Sequence, residues 1–150
     1  MTTTLALNSD YFSTLGRNVG AIACYAVLGT VLVIIGFFAI DVTTPGKLTH
    51  LVRDGRPNAS VVAAAGMVSM AFIVVLAIFA SGGKLSEGLI STAVYGLLGV
   101  VAQVIGLRVV EYGTSIKIGP LLADEKLCPS SFVVAAGHLA LGLIIAVAIL

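Results

Sequence analysis

Four stretches of this chain, residues 19–40, 59–80, 89–107 and 131–150, contain no charged residue at all. Each is about 19 to 22 residues long, enough to cross a hydrocarbon core of ~30 Å at ~1.5 Å per residue. Composition agrees: 59% of residues are hydrophobic and 10% charged, with a mean hydropathy of +1.13, where an ordinary soluble domain is about a quarter charged. The expected fold is an all-α integral membrane protein with four transmembrane helices and little outside them. The first run is not a cleavable signal peptide. It lacks a basic segment before it and exceeds the roughly 7 to 15 apolar residues of such peptides. The net charge of +1 gives no reason to invoke nucleic acid. Cys24, inside the first run, and Cys128, in the last loop, are not placed as a disulfide pair, and no second ligand sits near either at zinc-type spacing.

The two halves of the sequence resemble each other. An offset of 70 positions puts Tyr25 on Tyr95, Gly29 on Gly99, Gly36 on Gly106, Asp41 on Glu111, Thr44 on Thr114, Lys47 on Lys117 and Asp54 on Asp124. One position later the offset lays Ser60, Ala64 and Gly66 over Ser131, Ala135 and Gly137. Apolar matches are cheap in such a chain, so the Tyr, Gly, Lys and Asp matches carry the reading of a tandem duplication. The expected organisation is an N-terminal extracytoplasmic segment (1–18) and a first repeat (19–80) of two spans around a loop at 41–58. An external loop (81–88) leads to a second repeat (89–150), with its own loop at 108–130. Two spans per repeat return the chain to its starting side, so the repeats are expected as parallel hairpins about an axis along the membrane normal.

Charge sets the expected orientation. Lys47, Arg53 and Arg56 lie in one inter-span loop and Arg108, Lys117 and Lys126 in the other, against Arg17 and Lys84 on the opposite side. The positive-inside rule therefore puts both loops in the cytoplasm and both termini outside, in a multi-pass bacterial inner-membrane protein. Small residues at four-residue spacing (Ala26 and Thr30, Ala65 and Ser69, Ala102 and Gly106, Ala136 and Ala140) let helix backbones approach in lipid. Tyr25 and Tyr95 read as interfacial anchors or packing residues.

The usual catalytic and phosphate-binding signatures are absent, so no enzymatic activity, cofactor or metal is expected. Asn58-Ala59-Ser60 fits the glycosylation pattern but falls on the expected cytoplasmic side. Asp41 and Glu111 follow the C-terminal ends of their helices, where the helix dipole disfavours negative charge. Asp41 is placed to bond the backbone of the Thr43-Thr44-Pro45-Gly46 turn, and Lys47 and Lys117 to pair with the two carboxylates. The functional alternative is a cation or headgroup site built from both halves. Gln103 and His138 are the polar residues inside the spans, ~6 Å and ~9 Å deep on the loop side at helical rise. Their matching depths predict a hydrogen bond, direct or through one water. Intramembrane ionisable groups are also functional candidates.

The chain resembles the YjfL-type bacterial inner-membrane proteins, whose domain is known as domain of unknown function 350. The similar features are Thr44-Pro45 after the first span, Asn58-Ala59 at the start of the second, Gln103 with Arg108 in the third, and Ala135-Ala136-Gly137 with Leu139-Ala140 in the fourth. The departures are Arg56-Pro57 before Asn58, where the family pattern has Gly, and Pro129-Ser130 in place of a second Asn. The resemblance implies a four-helix membrane protein with two tandem domain copies and no established activity, associated with envelope-stress proteins and amide-forming ligase-type enzymes. Two functions emerge as expectations: a membrane scaffold or partner-binding subunit linked to envelope stress, or an oligomeric channel or transport element. The partners implied are the lipid bilayer, a cytoplasmic protein or anionic lipid at the basic loops, and further copies in a homo-oligomer.

Overall fold

The computed structural model describes residues 9–44, 46–82 and 84–150, and its regular elements are all helices. They are α1 (Ser9–Thr43), α2 (Leu48–Arg53), α3 (Pro57–Ala80), α4 (Leu85–Thr114), α5 (Ile118–Ala123) and α6 (Pro129–Ala148). A long helix, a short one and a long one thus occur twice. α1, α3, α4 and α6 are each long and apolar enough to cross a membrane, and the chain is an all-α integral membrane protein. Pro57 and Pro129 open α3 and α6, where a missing N–H costs nothing because the first turn has no intrahelical partner for it.

The long helices overrun the charge-free stretches. α1 has 35 residues and α4 has 30, so each is longer than the ~30 Å core at ~1.5 Å per residue. Helical hydrogen bonding does not stop at the first polar side chain, and α1 accordingly continues through Asp41 while α4 runs through Arg108 and Glu111.

α3 is the hub. Its most extensive partner is α6, and it also touches α1, α4, α2 and α5. The row of α6 that faces inward is Ser131, Ala135, His138, Gly142 and Ala146. A Cβ at Gly142 would lie 2.9 Å from Ser69 Cβ and 3.0 Å from its Cα, so only glycine permits this approach. Of the four small-residue rows read from the sequence, Ala65 and Ser69 are buried in the α3–α6 seam, whereas Ala136 and Ala140 are exposed. The spacing of small residues alone does not reveal which row of a helix faces inward.

At the loop end, α2 and α5 fold under the bundle. Leu48, Ile118 and Leu122 are 0 to 2% exposed and pack with Ile40, Val62, Leu107 and Val134. Removing each of these large side chains from water is worth about 1.5–3 kcal/mol, which explains why two six-residue helices persist. A second cluster, Met70, Ile73, Val100 and Ala146, fills the other half of the bundle. Outward-facing side chains such as Val42, Phe79 and Ile144 stay exposed, as expected where lipid tails are the solvent.

Candidate functional site

Polar residues gather at three levels, and the first is the loop face. Asp41, only 7% exposed, accepts a hydrogen bond from the Thr49 N–H at 2.6 Å, in the first turn of α2. Glu111 does the same for α5: its Oε1 accepts from the Ile118 N–H at 3.3 Å. Each carboxylate leaves the unfavourable end of one helix and satisfies an orphan N–H of the next. Asp41 therefore caps α2 rather than the expected Thr43–Gly46 turn, of which Pro45 lies outside the described residues. Lys47 and Lys117 do not pair with these carboxylates. They are exposed residues immediately before α2 and α5, and the charge of Glu111 is met instead by Arg108 Nη1 at 2.6 Å. Both carboxylates are engaged within their own loops. Among the described residues no group of three His, Cys, Asp or Glu is arranged to hold a metal.

Asn58 ties the halves together. Fully buried, its Nδ2 donates to the carbonyls of Lys126 (2.7 Å) and Asp124 (3.3 Å), and its Oδ1 accepts from the Cys128 N–H (2.8 Å). Arg56 adds an ion pair to Glu125 at 2.9 Å. The Asp124 carboxyl lies below the usual carboxylate range, chiefly because the Lys126 N–H donates to it. Burial and then the Asp124 carboxylate push the Cys128 thiol up, which disfavours the reactive thiolate.

The middle level is the buried cluster of Ser69, Gln103 and His138, all 0% exposed. The hydrogen bond expected from matching depths is direct: Gln103 Nε2 lies 3.2 Å from His138 Nδ1 and 3.1 Å from the His138 carbonyl. Ser69 Oγ donates to the same carbonyl at 2.7 Å. Because the amide nitrogen donates toward Nδ1, a neutral ring carries its proton on Nε2. Gln103 Oε1 and His138 Nε2 have no hydrogen-bond partner among the described residues. Sequence reading missed Ser69, whose only signal was its place in a small-residue row. It also missed the third level, where buried Thr92 donates to Ser81 Oγ at 3.1 Å.

Comparison with known proteins accords with this architecture. The chain is 38% identical over 133 residues to a UPF0719 transmembrane protein of Mycolicibacterium paratuberculosis, covering 87% of this chain and 88% of that one. It is 36% identical over 134 residues to a UPF0719 transmembrane protein of Mycobacterium bovis, covering 89% and 88%. No solved structure matches it. The family described as Domain of Unknown Function (DUF350) matches residues 13–149, a span running from within α1 to the end of α6, and the chain belongs to that family.

Proposed function

We propose that this protein is a non-catalytic membrane scaffold that presents exposed lysine and arginine side chains of its loop face to anionic groups of a partner protein or lipid. Its setting is the bacterial inner membrane, with both loops cytoplasmic and both termini outside. The observation carrying this reading is the separation of the polar levels. Along α3 they fall at Asn58, Ser69 and Ser81, ~16 Å and ~18 Å apart at helical rise. Between them lie Val62, Ala65, Ile73, Val74 and Ala77, none more than 8% exposed. A conducting path through one copy needs a continuous polar file, and close-packed apolar layers interrupt this one twice. On the loop face, Lys47, Arg53, Lys117 and Lys126 are exposed, interspersed with the exposed carboxylates of Asp54 and Asp124, and take part in neither of the two ion pairs among the described residues. For the link to envelope stress, the support is the family resemblance.

Two measurements test the reading. Proteoliposomes should pass protons and small cations no faster than protein-free vesicles; a flux abolished by His138→Phe would establish the transport alternative instead. Replacing the four exposed basic residues by Gln should remove any stabilisation gained when anionic lipid is substituted for zwitterionic lipid in nanodiscs. The orientation has its own check: a cytoplasm-dependent reporter fused after Leu150 should stay silent, and strong signal would invert it.

A further inference from the structure

α1 carries an apolar seam with the spacing of a coiled coil, and half of it has no partner within the described chain. Positions 12, 15, 19, 22, 26, 29, 33, 36 and 40 alternate steps of three and four residues, and all are apolar or glycine. The lower half of this seam packs on α3. A Cβ at Gly29 would lie 3.2 Å from Val74 Cγ1, one at Gly36 would lie 2.6 Å from Met70 Cε, and Ile40 Cδ1 approaches Gly66. Small residues there bring the two backbones together. The upper half switches to large side chains: Phe12, Leu15, Val19 and Ile22, exposed by 59, 44, 57 and 68%. α3 ends at Ala80, level with Tyr25, whose hydroxyl lies against Gly88 beside the Ser81 carbonyl. The segment 11–21 therefore stands from ~6 to ~21 Å beyond that level at helical rise.

Three of these four side chains lie above the hydrocarbon when Asp41 is taken as its loop-side edge. Counting ~30 Å of hydrocarbon upward from Asp41 at ~1.5 Å per residue ends near residue 21, so Phe12 to Val19 stand among headgroups or in water. We infer that the seam is completed by the same helix of a second copy. Two copies inserted the same way present α1 in parallel. In heptad terms Phe12 and Val19 then occupy a positions, and Leu15 and Ile22 occupy d positions, so all four core positions of a parallel pair are large and apolar. Arg17 and Gly20 fall on the other side of the helix and stay clear. Directly below the stripe, the α1–α3 seam opens outward into an apolar groove of about 430 Å³ lined by Ala26, Thr30, Ile34, Met67, Ala71 and Val75. The partner helix continues into it as it descends into the bilayer. The second copy thus meets one continuous face, large-sided above the membrane and small-sided within it.

The test is cysteine crosslinking in native membranes, in a chain with Cys24 and Cys128 replaced by Ser. Val19→Cys and Phe12→Cys should each give a band of twice the monomer mass on mild oxidation, while Arg17→Cys should not. Equal crosslinking at Val19 and Arg17 would mean random collision and overturn the seam. No dimer at Val19, or a product of another mass, would mean that lipid or a different protein covers it. Because misfolding would also remove a crosslink, each variant is counted by single-molecule photobleaching in nanodiscs as well. Wild type should bleach in two steps and Leu15→Ser/Val19→Ser in one, with unchanged helical content. Two-step bleaching of that double variant would also refute the proposal.

Discussion

In the first half of the chain, a buried aspartate reaches eight residues forward to the backbone of α2. In the second, a glutamate reaches seven residues forward to α5. Asp41 bonds the second residue of its short helix and Glu111 the first. The device is shared, but the two loops end differently. At the end of the first loop stands Asn58, with three hydrogen bonds into the second loop. At the offset position of the second half stands Pro129, which offers no side-chain polar group. The middle of the bundle is similarly one-sided: His138 of α6 meets Gln103 and Ser69, while its counterpart Met67 faces outward at 47% exposure. Features present in both halves close local structure, and features present in one join the halves together.

This contrast makes an ordered set of predictions. Asn58→Leu should cost the most, about 2–4 kcal/mol, since it strips three hydrogen bonds and leaves buried backbone groups unpaired; denaturation from mild detergent into SDS would measure it. A loss comparable to that of an exposed substitution would deny the joint its one-sided weight. Asp41→Ala should cost about 1–2 kcal/mol and Glu111→Ala less, within the usual range for a lost helix cap, because Glu111 makes a longer bond at a more exposed site. Equal losses would make the two loops energetically alike as well as similar in design.

Gln103→Leu should cost on the order of 1 kcal/mol, limited because it also removes an acceptor that has no partner. The smallest effect is in pH. The folded-state pKa of Asp124 is depressed, so its contribution is fully present above the unfolded value near 4 and is lost as pH falls through the lower folded value. Stability profiles of wild type and Asp124→Asn should therefore run parallel at neutral pH and converge only below about pH 4. Convergence at higher pH would show that the carboxylate is not held by the Lys126 amide.

Much of this architecture was legible in advance because membrane insertion writes it in charge. Four uncharged runs marked α1, α3, α4 and α6, and the shared depth of Gln103 and His138 led to their contact, since a polar group in lipid has few places to go. The loops hid more. α2 and α5 are too short for a periodic signal, and the partners of Asp41 and Glu111 lie on those helices rather than in the adjacent turn. Asn58 was marked by resemblance, but its role depends on backbone groups 66 to 70 residues away, a separation no local pattern reaches. Helix rotation had one marker in α6: Ala135 and Gly142 stand three and four residues from His138 and share its inward face, whereas small-residue spacing alone pointed to Ala136 and Ala140.

The central place of α3 bears on how the molecule is made. A ribosome delivers α1, α2 and α3 first, and at that moment the face of α3 that will meet α6 has no cover. Asn58 lacks the second loop, and Ser69 lacks the His138 carbonyl. The nascent first half therefore presents polar groups and bare small residues to lipid until the last helix arrives. Completion of the bundle waits for α6, and a chain truncated before it leaves the most extensive face of α3 uncovered.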